Sequence, residues 1–374
     1  MNILLLGGGL QGLACGSSLF HQGNDVDVVS DDLQIKHSVF FNRVYCGINL
    51  SLNSLYDILK TKHYDVIIPM GDKGTSFLSR HKEIIEDEIG TICACPSFSL
   101  LSIVEDKHKF MAFCHQNEIP HPKTFVLTVE NQKKCAMEIG FPSLIKPDFS
   151  VGARGITRVD TLDELYQKLP AVLKEFGPCT LQEFVDNQKF YYNVMLYRDN
   201  KGRFLGHTVC KVVRMYPVNG GSSSCCISVE NDDLLNLCKD CLCKLEWTGM
   251  ADFDVLQCRK TGEYKIIEMN PRVPACLRIA IESGMNFPEI ISLDALSEEV
   301  PVYPYIPGKT LRYLGLDMMW LLKSTERWKS NPCWLNIVSR DVYWQDIYRC
   351  DISTWWSWLA VGLKKVRQKN KRMR

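Results

Sequence analysis

Residues 264–272, YKIIEMNPR, constrain this chain more than any other stretch, together with residues 249–256, GMADFDVL, just before them. Tyr264, Ile266 and Ile267 read as a buried strand. Glu268 and Asn270 follow at its end, two residues apart, so on a strand both point to one face. Asp254 lies on the preceding run, and Thr261-Gly262 supplies a turn between the two. A hairpin then brings three oxygen-bearing side chains to one surface. Few protein ligands, all oxygen, leave room for water and phosphate oxygens, which is what Mg²⁺ requires. Taken alone, the same residues also describe a surface hairpin with polar ends.

The composition, 46% hydrophobic and 23% charged over 374 residues, is that of a globular chain of about two or three domains. The formal net charge of +1 hides an asymmetry. Residues 364–374 (KKVRQKNKRMR) hold seven basic groups and no acid, so the remainder is mildly acidic. That balance argues against a nucleic-acid groove in the body. Seventeen cysteines, with no leader ahead of the first strand, fit free thiols in a reducing cytoplasm better than a secreted disulfide scaffold. Cys238, Cys241 and Cys243 look like half of a zinc site, but no second pair stands at a usual spacing. No run reaches the ~18 apolar residues of a spanning helix, and residues 352–363 are too few.

In chain order, NILLLGGG at residues 2–9 is a strand running into glycines. Gly7, Gly9 and Gly12 match G-x-G-x-x-G, a helix is expected over 11–22, and Asp31 or Asp32 stands where a ribose-binding acid would be. The glycines fit either a dinucleotide site or a tight turn with close helix–strand packing. EDKHKF opens a helix over 105–117, which Pro120 and Pro122 close. In FPSLIKPDFSVGARGI, the strand 144–146 presents Lys146 and residues 150–156 form a glycine-bearing loop. Free backbone N–H groups beside a lysine suit phosphate; a plain hairpin with a solvated lysine is the alternative. LQEFVD ends a strand with backbone groups that could meet an adenine edge. Lys211, Arg214 and the small-residue loop 220–224 could approach a ligand or simply be exposed. A helix bearing Arg278 follows the hairpin. Seven of the eight tryptophans lie between Trp320 and Trp358.

The ordered set EDKHKF, FPSLIKPDFSVGARGI, LQEFVD, ADFDVL and IIEMNPR resembles the ATP-grasp superfamily, on the branch of carbamoyl-phosphate synthase large-chain domains and D-aspartate ligases. The resemblance covers roughly residues 1–300. It implies an α/β fold, α+β in part. Residues 1–105 would be a Rossmann-like pre-ATP-grasp domain that binds no dinucleotide. Residues 106–300 would be the ATP-grasp domain with a small lid over about 124–186, and 301–374 a Trp-rich extension with a basic tail. It further implies that Lys107, Lys146, Ser150, Gly152 and Gly155 serve the ATP phosphates, and Gln182, Glu183, Phe184 and Val185 the adenine hinge. Asp254, Glu268 and Asn270 would hold Mg²⁺ or Mn²⁺. Arg272 would stabilise an acyl phosphate, with Arg278 nearby to hold a substrate carboxylate. Many relatives carry an acid after the hinge for ribose, whereas Gln188 and Lys189 stand here.

The implied activity is ATP-dependent joining of a carboxylate to an amine, on small-molecule or sugar-linked substrates. A homodimer is a further expectation. Two rivals predict other behaviour: an NAD(P) oxidoreductase built on the N-terminal glycines, and a nucleotide-binding protein without catalysis. Residues Ile352, Trp355, Trp356, Leu359 and Leu363 fall on one helical face ahead of the basic tail. That end could dock peripherally on the anionic inner face of the membrane, or its tryptophans could pack onto the core and leave the tail as a solubilising end.

Overall fold

The computed structural model describes residues 1–148, 155–187, 190–218, 220–337 and 339–356. Ser150, Gly152, Gln188, Lys189, Leu359, Leu363 and the basic tail 364–374, with the membrane-docking expectation that rests on them, lie outside the described residues.

The first sheet comes from short apolar runs. β1 (Asn2–Leu6), β2 (Asp25–Val29), β3 (Arg43–Tyr45), β4 (Val66–Pro69) and β5 (Ile92–Cys93) form a parallel sheet in the order β3-β2-β1-β4-β5. Alternation sends Ile3 and Leu5 to one core and Leu4 and Leu6 to another. The first of these cores is shared: the helix Gly9–His21 packs with Leu277, Ile279, Phe287 and Ile290 from much later in the chain. The N-terminal unit is thereby fixed against the unit that carries the hairpin.

Four strands make the second sheet: β6 (Thr124–Leu127), β7 (Ser143–Pro147), β8 (Thr157–Val159) and β9 (Cys179–Glu183), in the antiparallel order β6-β9-β7-β8. Ile145 and Leu181 face the helices Gln132–Ile139 and Leu162–Phe176. Period-two alternation therefore turns Lys146 and its partner Thr180 to the opposite face.

The third sheet has seven strands in the order β14-β13-β10-β11-β12-β15-β16. These are β10 (Tyr191–Arg198), β11 (Phe204–Tyr216), β12 (Ser222–Ser228), β13 (Gly249–Gln257), β14 (Tyr264–Asn270), β15 (Thr310–Arg312) and β16 (Val342–Trp344). Val194, Phe253, Val255 and Ile266 pack on the helices Asp232–Lys244 and Lys107–Gln116.

The C-terminal extension is continuous with this sheet rather than appended to it. β15 pairs with β12, and β16 runs parallel beside β15. Arg214 is bound within this junction. Arg214 Nε lies 2.6 Å from Asp317 Oδ1, and Arg312 Nε 2.7 Å from Asp317 Oδ2, with all three side chains buried. The guanidinium of Arg312 lies 5.0 Å from the Trp334 ring and 4.9 Å from the Trp344 ring, and that of Arg214 lies 5.2 Å from Trp320. Trp320 is buried and Trp334 and Trp344 are half-buried beside these guanidiniums, whereas Ile352, Trp355 and Trp356 are exposed at the last described turn. Among the described residues no helix is long and apolar enough to cross a membrane.

Two buried guanidiniums share one carboxylate, so removing it leaves positive charge without a partner in a dry site. Asp317→Ala is expected to cost about 3–5 kcal/mol in urea unfolding. A loss under about 1 kcal/mol would mean the junction is hydrated.

Candidate active site

The hairpin β13–β14 pairs Asp254 with Glu268 and Asp252 with Asn270. Val255, however, pairs with Ile266, so Ile267 is an extra residue on β14. This bulge changes the phase of the strand. Ile266 and Met269 both enter the core, while Glu268 and Asn270 share the other face with Asp252 and Asp254. Asn193 on β10 sits opposite Asp254. Its Nδ2 donates to Asp252 Oδ1 and, at 3.3 Å, to Asp254 Oδ1. Asn270 Nδ2 donates to Asp252 Oδ2 at 3.3 Å. Asn270 Oδ1 accepts from Arg272 Nη2 at 3.3 Å, and Arg272 Nε is bound by Asp72 from the N-terminal unit.

Lysines face these acids. The helix Lys107–Gln116 is capped by Asp106, which accepts from the backbone N–H of His108 and Lys109. Its first residue, Lys107, lies 3.6 Å from Glu268. Lys146 reaches the same space from the small sheet. Burial pushes its ammonium down to about 8, against the pull of Glu268 and Asp254, and Lys107 adds to the fall. Burial and the neighbouring Glu268 push Asp254 up to about 6. Asp252 is raised as well, by burial first and by Asp254 second. A cavity of about 610 Å³ opens here, lined by Asp72, Lys107, Asp148, Glu268 and Asn270.

The expected hinge runs from β9 towards β10. Gln182 is buried and donates to Thr124 at 2.9 Å, and Glu183 binds Lys265 at 2.6 Å. Phe184 lies beneath the Arg158 guanidinium, and Val185 is buried. Gly155 stands at the root of the glycine-bearing loop with φ +75°, where an added Cβ would come within 2.8 Å of Pro147 and 2.9 Å of Phe176. Only glycine fits there.

Arg278 is placed elsewhere. Its Nη1 donates to the carbonyls of Trp344 and Ile347, its Nε binds Glu282 at 3.2 Å, and its guanidinium covers the Tyr348 ring. It lines a second, larger cavity of about 980 Å³ between the helix Gly9–His21 and the C-terminal extension. The acids and lysines of the site do not line that space. Of the two acids placed for ribose, Asp32 Oδ2 accepts from Gly9 N at 2.6 Å in the N-terminal glycine loop and Asp31 Oδ1 accepts from Gly47 N at 2.6 Å. Among the described residues no cluster of three or more His, Cys, Asp or Glu has metal-site geometry, and Cys238, Cys241 and Cys243 form none. The donor set at the hairpin, two carboxylates and an amide oxygen, suits a hard divalent cation that takes its remaining oxygens from a ligand.

Sequence reasoning missed Asn193, Asp252 and Asp72. Asp252 was within reach, because it precedes Asp254 by two residues on one strand face. Asn193 and Asp72 had no local signal; only the pairing of β10 with β13 and the packing of the two units bring them in.

Residues 106–282 match the family described as carbamoyl-phosphate synthase L chain, ATP binding domain. A carbamoyl phosphate synthase large chain of Caldanaerobacter subterraneus subsp. tengcongensis is 27% identical over 173 residues, 44% of this chain and 15% of that protein. The D-aspartate ligase of Enterococcus faecium is 25% identical over 255 residues, 63% of this chain and 59% of that protein. The chain thus spans well under two thirds of the length of these curated relatives. Among solved structures, the biotin carboxylase–βγ-ATP complex of Campylobacter jejuni superposes with a TM-score of 0.67 at 18% identity, over 81% of this chain and 73% of that one. The fold is that of the ATP-grasp proteins.

Lys146 should titrate near pH 8 in the folded chain and near 10.4 unfolded. Its charge therefore opposes folding below pH 8, and the opposition fades as pH rises to about 10.5. Lys146→Met is expected to stabilise the ligand-free protein by about 1–3 kcal/mol at pH 7, with little gain at pH 10.5. Equal urea midpoints at pH 7 would show that the lysine is hydrated.

Proposed function

We propose that the chain is an ATP-dependent carboxylate–amine ligase working through an acyl phosphate. The observation that carries this reading is the meeting of Lys146 and Lys107 with Asp254 and Glu268 across one cleft. Cations for a polyphosphate and carboxylates for a divalent cation address the same space. The match to an ATP-binding domain supports the nucleotide.

In this reading Lys107 and Lys146 bind the phosphates. The backbone of 182–185 meets adenine. Asp254, Glu268 and Asn270 hold Mg²⁺, which when bound would offset charge on the transferring phosphoryl group. The substrate carboxylate attacks the γ-phosphorus and ADP leaves. The amine then attacks the acyl carbon, loses a proton and expels phosphate. Arg272, held beside Asn270, is placed to stabilise the anion at that carbon. Water excluded by the lid cannot hydrolyse the acyl phosphate. Arg278 acts on the acceptor only if the C-terminal clasp releases it; as placed, it anchors that extension. The seventeen cysteines are all free, which supports a reducing, cytoplasmic setting.

The test is coupled ADP release with amino acids and uronic acids supplied in pairs. Release that needs both an acid and an amine is expected, with Glu268→Gln raising the Mg²⁺ requirement at least tenfold, roughly 1.4 kcal/mol. NADH binding without ATP binding would replace this reading with an oxidoreductase. ATP binding without acid-dependent release would leave a non-catalytic binder.

A further inference from the structure

We infer that Asp252 is a positioning residue: its two oxygens hold the side-chain amides of Asn193 and Asn270 by their nitrogens, so that the Asn270 oxygen faces the cation site. The inference rests on the proposed divalent-cation role of Asp254, Glu268 and Asn270.

An asparagine side chain is ambiguous about its ends, since nitrogen and oxygen differ little in size. A metal ligand cannot tolerate that ambiguity, because only the oxygen binds a hard cation. Asp252 resolves it. A carboxylate only accepts hydrogen bonds, so any amide that meets it must present its N–H. Asp252 Oδ2 takes the Asn270 N–H at 3.3 Å, and Asp252 Oδ1 takes that of Asn193. The Asn270 oxygen is left pointing away from Asp252, where Arg272 Nη2 already approaches it at 3.3 Å. The same Asn193 nitrogen reaches Asp254 at 3.3 Å, and the Asn193 oxygen accepts from the Cys276 thiol at 3.4 Å. One carboxylate thus orients the amide ligand directly and the Asp254 ligand through Asn193. Asp252 is 2% exposed and stands opposite Asn270 in the strand register, so the hairpin itself holds the two residues side by side. Orienting partners of this kind are commonly worth about 10–100-fold in metal affinity.

The test measures Mn²⁺ binding to the full chain with ADP present, by calorimetry and by the electron-spin signal of free Mn²⁺. Neither readout needs turnover. Asp252→Asn keeps the shape but adds an N–H that competes with the two amides. It should weaken Mn²⁺ about 10–100-fold while ADP affinity without metal stays within about threefold, a window well inside one tenfold step. The swapped pair Asp252→Asn with Asn270→Asp should recover most of the loss, because a carboxylate at 270 has no wrong end and accepts the new N–H. Mn²⁺ affinity of folded Asp252→Asn within about twofold of the parent would overturn the inference. So would a folded swapped protein that binds as weakly as the single variant, and this arm decides the matter if Asp252→Asn alone does not fold. A parent chain that binds neither ADP nor Mn²⁺ would overturn the underlying ligase reading as well, which separates the two failures.

Discussion

The single extra residue at Ile267 decides which side chains of β14 enter the core and which face the cleft. Regular alternation along β14 would place Ile266, Glu268 and Asn270 on one face, and the core would have to accept either two polar ends or the loss of an isoleucine. The bulge avoids that conflict. It lets Ile266 fill the core opposite Val255 and still turns Glu268 and Asn270 towards Asp254 and Asp252. Bulges are frequent beside active sites because they re-aim side chains without interrupting a sheet. Here the device sits between the strand's packing half and its chemical half. Both halves can then be satisfied by a strand of seven residues.

The orientation of the acids is only useful if lysines meet them, and two separate alternations see to that. On β7, Ile145 is committed to the helices Gln132–Ile139 and Leu162–Phe176, so Lys146 has the cleft face left to it. On the large sheet, Phe253 and Val255 are committed to the helix Asp232–Lys244, so Asp252 and Asp254 have the cleft face left to them. The core shared by the helix Gly9–His21 and residues 277–291 then fixes the third wall, from which Asp72 reaches Arg272. Lys146, Asp252 and Asp254 are thus each aimed by an apolar neighbour one residue away in sequence.

This explains how much could be read from the residues alone. The order of the units, the hairpin, the lysine strand and the helix after Asp106 are local patterns, and local patterns survive folding. The hairpin itself, with Asp254 and Glu268 on adjacent strands, followed from a turn at Thr261-Gly262. The bulge was not legible, since Ile266 and Ile267 are equally apolar and nothing in their order says which one is extra. Arg278 shows a different limit. Its place one helical turn after the NPR segment suits a substrate carboxylate, yet the partners that occupy it, the carbonyls of Trp344 and Ile347, come from more than sixty residues later. Arg214 likewise meets Asp317 only because β15 joins the large sheet. Long-range satisfaction of a guanidinium leaves no mark in its own neighbourhood.

The ligand-free site is electrostatically strained in a consistent direction. Burial holds Asp252 and Asp254 above the usual carboxylate range and Lys146 below the usual ammonium range. Each group would be relieved by a charge of the opposite sign arriving in the cleft. Lys107 stands beside Glu268 and can offset only part of the negative charge. A divalent cation would relieve the acids and a polyphosphate would relieve the lysine, but neither alone serves both sides of the cleft. Lys146 lies on the small sheet and the acids on the large one, so the charges that would relieve them are called for from opposite walls of the cleft.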